Sequence, residues 1–266
     1  AMGPLDYHSA MPMNTNSWLV CAPASRPAQA RLFCLPYAGG DALIYRSWSG
    51  DLSSDLEVCA FQFPGRGKRI SEPRFTRMDA LVPALVEAMR GRLDLPFMIF
   101  GHSLGALIAF ELARALRRMA LPQPKRLFLS ARRAPQLPSR IAEIHRLPES
   151  EFREELYRGG GVPREVLDHE ELMALMSPML RADYEIVETY RFSPEAPLDV
   201  PFTIFGGIAD EDVDRPALEA WQEQTSAAVR IEMLPGDHFF LNSQRKSLLQ
   251  TIDGAWLQVS GLRRSG

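Results

Sequence analysis

The chain has 266 residues, 46% of them apolar and 24% charged, with a net charge of −3. That length suits one large α/β domain or two small ones, and that apolar fraction excludes global disorder. The charge balance excludes nucleic-acid or anionic-membrane binding by bulk electrostatics, and no apolar run reaches the ~20 residues of a membrane span.

The first dozen residues lack an apolar signal core, and 1–16 reads as a disordered or cloning-derived tail. Trp18 to Ala22 and Arg31 to Leu35 are strand-like, divided by a Pro/Ala/Arg turn region. The second run empties into the small-residue loop Pro36-Tyr37-Ala38-Gly39-Gly40. Leu43 to Leu52 reads as a short helix with Leu43, Ile44 and Trp48 on one face. Leu56 to Phe63 is a strand, ended by Pro64-Gly65-Arg66-Gly67-Lys68-Arg69. Met78 to Leu93 has helical periodicity, with Leu81, Leu85, Val86 and Met89 sharing a face. Phe97 to Phe100 reads as a strand and Leu104 to Arg118 as a helix. Arg126 to Ser130 is the next strand. Residues 137–191 are charged and helix-rich, with no strand signal. Pro201 to Phe205 and Val229 to Leu234 are strands, with a helix from Pro216 to Gln224 between them. Ser243 to Leu257 closes the chain as a helix, with Ser243 as its expected N-cap.

Strands and helices alternating at this rhythm predict an α/β fold: a mostly parallel central sheet with helices on both faces. The strand-free stretch is too long for an ordinary connection. The expected organisation is a core of 17–136 and 192–262, interrupted by a helical lid at 137–191. Cys21, Cys34 and Cys59 each lie in a short apolar run. Their spacing matches neither a zinc site nor a redox pair. Free buried thiols, a reducing cytoplasmic location and no metal site are expected.

Gly101-His102-Ser103-Leu104-Gly105 matches G-x-S-x-G, set between a strand and a helix. A strand-to-helix turn this sharp leaves no room for side chains beside the serine, which the flanking glycines provide. A serine nucleophile needs a base, and histidine titrates in the right range. His8 lies in the tail. His102 adjoins the serine, where side chains diverge, and a supporting role suits it. His145 and His169 fall among acidic residues and read as solvated surface. His238 alone follows a late strand, in Gly-Asp-His-Phe-Phe. The order Ser…Asp…His places the acid after a strand between the two. Asp210 is the first carboxylate after Phe202 to Phe205; Asp212 and Asp214 are alternatives, with capping as their other role. An oxyanion needs two aimed N–H donors. Leu104 supplies one from the elbow, and Ala38, preferred over Tyr37, the other from the loop after an early strand.

Six segments together resemble the type II, or editing, thioesterases of polyketide and nonribosomal-peptide assembly lines. They are Leu35-Pro36-Tyr37-Ala38-Gly39-Gly40; Tyr45 with Trp48; Phe63-Pro64-Gly65-Arg66-Gly67; Gly101-His102-Ser103-Leu104-Gly105-Ala106; Pro178-Met179-Leu180-Arg181-Ala182-Asp183; and Gly236-Asp237-His238-Phe239-Phe240-Leu241. The resemblance covers residues 31–257 and implies an α/β-hydrolase fold with a mobile helical lid. It implies a Ser103-His238-Asp210 triad without a cofactor. It also implies an acyl or peptidyl thioester on the phosphopantetheine arm of an acyl or peptidyl carrier protein, removed when aberrant or stalled. Asp41 departs from the small residue usual there and puts a charge near the pocket mouth.

Tyr37, Met173, Met176 and Met179 are the expected substrate contacts; with Leu172, Leu175 and Leu180 the methionines form an adaptable apolar face, or else pack the lid's interior. Arg66, Lys68 and Arg69 read as a solvated loop, with a carrier or phosphate contact as the alternative. A monomer is expected. The rival functions are a carboxylesterase or lipase acting on oxygen esters, and a non-catalytic binding partner of the same fold.

Overall fold

The strands are β1 (Leu19–Ala22), β2 (Ala30–Leu35), β3 (Leu56–Phe61), β4 (Phe97–His102), β5 (Leu127–Ser130), β6 (Phe202–Gly207) and β7 (Val229–Leu234). They come from a computed structural model describing residues 18–22, 26–138 and 143–260. The expected tail at 1–16 lies outside the described residues. One sheet holds all seven in the order β1-β3-β2-β4-β5-β6-β7. Strand β1 runs antiparallel to β3, and every other neighbouring pair is parallel.

The central strands are continuous apolar runs because both faces of the sheet are covered. Alternate residues of β2 divide between two cores, as the pleat requires. Phe33 and Leu35 pack with helices α1 (Met78–Met89) and α2 (Leu104–Arg118) on one side. Leu32 and Cys34 pack with α8 (Arg245–Ser260) on the other. All six residues of β4 are buried. Strong helix formers fill α2, and just beyond it Ala120 turns the chain at φ 50°.

Strand β3 lies on one side of β2 and β4 on the other, so the chain reverses its winding between β2 and β4. Loops leaving the carboxyl ends of those strands diverge and open a crevice there. Both candidate loops, Pro36–Gly40 and the Ser103 elbow, emerge at that edge.

Between β5 and β6 lie α3 (Glu149–Arg158), α4 (Arg164–Leu167) and α5 (Glu170–Thr189), with no strand among the described residues. They enclose an apolar cluster of their own, including Phe152, Leu156, Leu167, Met173 and Leu180. Two short helices follow in the core, α6 (Arg215–Glu219) and α7 (Phe240–Ser243). No helix among the described residues is long and apolar enough to cross a membrane.

Two local expectations change. Residues 43–52 form not one helix but two 3-10 turns, Ala42–Tyr45 and Trp48–Gly50. Asp41 caps the first by accepting from the Leu43 N–H at 2.9 Å. Ser243 does not cap the last helix; it ends α7, and α8 begins at Arg245. All three cysteines are free thiols, as expected, with Cys34 and Cys59 buried and Cys21 half-buried; Cys21 and Cys59, 38 residues apart in sequence, are register partners on β1 and β3 with Sγ atoms 2.6 Å apart.

Candidate active site

Ser103 sits between β4 and α2 at φ 53° and ψ −112°. That is a costly conformation for a residue with a Cβ, and it persists only because the surroundings enforce it. A Cβ on Gly101 would stand 2.1 Å from the Gly105 carbonyl oxygen, and one on Gly105 would stand 2.2 Å from that of Leu35. Both glycines are therefore required by space. The serine N–H donates to the Ser130 carbonyl at 2.8 Å, pinning the elbow to the end of β5.

The hydroxyl Oγ of Ser103 lies 3.0 Å from His238 Nε2, and His238 Nδ1 lies 2.8 Å from Asp210 Oδ2. A carboxylate only accepts, so Nδ1 carries the proton and Nε2 is left to accept from the serine. Asp210 Oδ1 accepts from the backbone N–H groups of Asp212 and Val213 at 3.0 and 3.2 Å, which fixes the carboxylate. The histidine loop reaches it because β6 and the 236–237 turn pack closely: Ala209 N–H donates to Gly236 O at 2.9 Å. Asp214 instead caps α6 by accepting from the Ala217 N–H, and Asp212 is exposed.

His102 is fully buried behind this row. Its Nε2 lies 2.9 Å from the His238 carbonyl oxygen and its Nδ1 2.9 Å from Ser130 Oγ. A carbonyl can only accept, so Nε2 is the protonated nitrogen and the serine hydroxyl donates to Nδ1. Burial pushes the His102 pKa well down, with His238 adding to the effect, so the ring is a neutral brace for the His238 backbone. Tyr37 is half-buried, its ring edge-on to His102 and Phe239 at 5.8 and 5.2 Å. Desolvation, and then the Asp41 charge, raise the Tyr37 pKa and keep its hydroxyl protonated.

The backbone of Leu35 and Pro36 lies directly against Gly105, so the Pro36–Gly40 loop abuts the elbow. Among the described residues, no protein group accepts from the N–H of Leu104 or of Ala38. For Leu104 the reason is its place at the start of α2, where no carbonyl precedes it in the helix. A hydroxyl, an imidazole, a fixed carboxylate and two open N–H donors at one sheet edge can perform acyl transfer.

Met173 and Met179 are buried in the cluster between α3 and α5, and Met176 packs against it. Leu172 and Leu175 are the exposed pair of that helix. The solvated-loop expectation fails for Arg66 and Arg69, both buried. Arg69 pairs with Glu72 and lies 4.2 Å over the Trp18 ring, while Lys68 alone is exposed. His145 is likewise not free surface: its Nδ1 bonds the buried Glu188 carboxylate. His169 is exposed and caps α5. Sequence reading missed the Arg66 and His145 pairings because their partners lie 117 and 43 residues away.

The family model described as the thioesterase domain matches residues 30–255. The chain is 41% identical over 244 residues to the linear gramicidin dehydrogenase LgrE of Brevibacillus parabrevis, covering 91% of this chain and 93% of that protein. Among solved structures it superposes with a TM-score of 0.81 at 37% identity on RedJ, a thioesterase from the prodiginine biosynthetic pathway in Streptomyces coelicolor, covering 88% of this chain and 95% of that one. A TM-score of 0.81 at 33% identity relates it to BorB, the type II thioesterase from the borrelidin biosynthetic cluster, over 90% of this chain and 97% of that one.

Proposed function

The chain belongs to the thioesterase domain family, and on that premise we propose that it hydrolyses acyl or peptidyl thioesters from the phosphopantetheine arm of a carrier protein. In this reading it clears aberrant or stalled intermediates from a polyketide or nonribosomal-peptide assembly line, in the cytoplasm. The observation that carries it is the unbroken row from Asp210 through His238 to Ser103, with contacts of 2.8 and 3.0 Å.

Ser103 Oγ attacks the thioester carbonyl as His238 Nε2 takes its proton. Asp210 holds the ring's tautomer and stabilises the imidazolium. The N–H groups of Leu104 and Ala38 receive the developing oxyanion. The carbon–sulfur bond then breaks, and the thiol leaves with the proton from His238. Water, deprotonated by His238, attacks the acyl-serine; collapse releases the acid and restores the serine. A thiol has a pKa of about 8.5, so its departure asks little of the acid, and access to the serine becomes the point of control. The helical segment 137–191 is the lid that exerts that control. Its support is the contact of α5 with the Pro36–Gly40 loop, where Leu180 packs on Gly39.

The dehydrogenase of one relative's name gains no support from this sequence. A dinucleotide fingerprint needs Gly-x-Gly-x-x-Gly after a strand. After β3 the chain has Gly65-Arg66-Gly67, with Ile70 where the third glycine belongs.

The test compares kcat/KM for an acyl-loaded carrier protein with that for a nitrophenyl ester of the same acyl group, using the native chain and Ser103→Ala. Strong preference for the carrier thioester, abolished in Ser103→Ala, is expected. Preference for the oxygen ester identifies a carboxylesterase instead.

A further inference from the structure

Two of the segments that carried the family resemblance, Phe63–Gly67 and Pro178–Asp183, play no part in the chemistry above. The fold brings them together. Arg66 Nη1 and Nη2 donate to Asp183 Oδ2 and Oδ1 at 2.8 and 2.6 Å, and both side chains are almost wholly buried. The pair also grips the Tyr37–Gly40 turn. Asp183 Oδ2 accepts from the Gly39 N–H at 2.8 Å, and Arg66 Nη1 donates to the Gly40 carbonyl at 2.9 Å. One turn earlier on the same face of α5, Leu180 closes over Gly39.

We propose that Arg66 and Asp183 are positioning residues that hold the Ala38 side of the oxyanion hole in shape and couple it to the seating of α5. This rests on the catalytic reading given above. The turn closes with Gly40 N–H donating to Tyr37 O at 2.9 Å, and Gly39, its third residue, has φ +80°. That φ belongs to a type II turn, whose central peptide flips by half a rotation to give type I. In the observed state that peptide's N–H points at the Asp183 carboxylate. A flip would bring the Ala38 carbonyl oxygen toward the same carboxylate, with repulsion between the two. A buried carboxylate aimed at Gly39 N–H therefore selects one of the two peptide orientations. The guanidinium fork fixes the carboxylate and, through Gly40 O, the far end of the turn. The Ala38 N–H lies on the preceding peptide, which such a flip does not turn; its place is held by the anchoring of the turn at Gly39 N–H and Gly40 O, and among the described residues no protein group uses it. If α5 lifts away, Asp183 leaves with it and the turn loses its selector. The Ala38 donor is then held firmly in place only when α5 is seated.

The test uses Asp183→Asn and Arg66→Lys in the full chain, with Ser103→Ala alongside. It measures kcat and KM on an acyl-carrier thioester, Ki for an acyl trifluoromethyl ketone that adds to the serine, and Kd for an amide analogue of the substrate on Ser103→Ala carrying each substitution. Loss of one aimed donor typically costs about 10²–10³ in kcat, and partial disorder of that donor should cost about 10-fold or more. We expect kcat to fall by that factor with KM nearly unchanged. The ketone Ki should rise in parallel with the loss of kcat/KM, and amide Kd should not move. If either single variant fails to fold, Arg66→Met/Asp183→Leu, which leaves no stranded charge, must show the same loss. Native kcat and ketone Ki in folded variants, with a lower Tm alone, overturn the proposal while an inactive Ser103→Ala keeps the catalytic reading. An active Ser103→Ala overturns both.

Discussion

Gly105→Ala sets helix propensity against the geometry of the elbow. Gly105 is the second residue of α2, where alanine should be favoured by about 1 kcal/mol on propensity alone. The structure predicts the opposite sign. The new Cβ would meet Leu35 O at 2.2 Å, Leu35 C at 2.7 Å and Pro36 O at 2.8 Å, all backbone. No side-chain rotation relieves such a clash, so α2 and the Leu35–Pro36 chain must separate by about 1 Å to reach van der Waals distance. Overpacking of this kind costs about 1–3 kcal/mol. The same displacement moves the Pro36–Gly40 loop from the serine, and a misplacement of about 1 Å in an active site costs about 10²-fold in rate. Gly254→Ala is the internal control: it lies within α8, and nothing stands within 4 Å of its added Cβ. Melting temperatures and carrier-thioester kcat/KM for both variants decide the matter. Gly254→Ala should hold or raise Tm with full activity, while Gly105→Ala should lose both stability and rate. Native Tm and rate in Gly105→Ala would refute the claim that elbow and loop are in rigid contact.

Asp210→Asn preserves size but removes the acceptor that fixes the His238 tautomer, and kcat should fall by about 10³–10⁴ with Tm close to native; a loss under tenfold would transfer the role to another acid. His102 predicts a pH dependence of stability. Its folded pKa is lowered by burial, so above an unfolded value of about 6.5 neither state is protonated. As pH falls from there toward the folded pKa, only the unfolded chain gains the proton, and stability drops by up to about 1.4 kcal/mol per pH unit. Denaturant titrations from pH 7.5 to 5 should show this slope in the native chain and a shallower one in His102→Gln.

Where local chemistry decides, the sequence was readable. The helix after the serine begins and ends where its composition said, because glycine, helix formers and the steric demands of the elbow act within a few residues. Strand order was not readable, since the reversal between β2 and β4 depends on packing across the whole sheet. Ser103, Asp210 and His238 could be nominated from chain order; their 2.8 and 3.0 Å contacts could not. Residues 42–50 broke into two 3-10 turns because the Asp41 cap and the buried Tyr45 and Trp48 outweigh a weak helical pattern. Arg66 looked like surface because charge alone favours water; Asp183, 117 residues later, is what makes its burial tolerable.

The most direct measurement is the site of acylation. The native chain and its His238→Ala variant are mixed with an acyl-loaded carrier protein, and the peptides are mapped by mass spectrometry. An acyl group on Ser103 that turns over in the native chain, and forms at least about 10³-fold more slowly without His238, is the predicted result. Hydrolysis with no adduct at Ser103, or acylation unaffected by loss of the imidazole, would contradict the account.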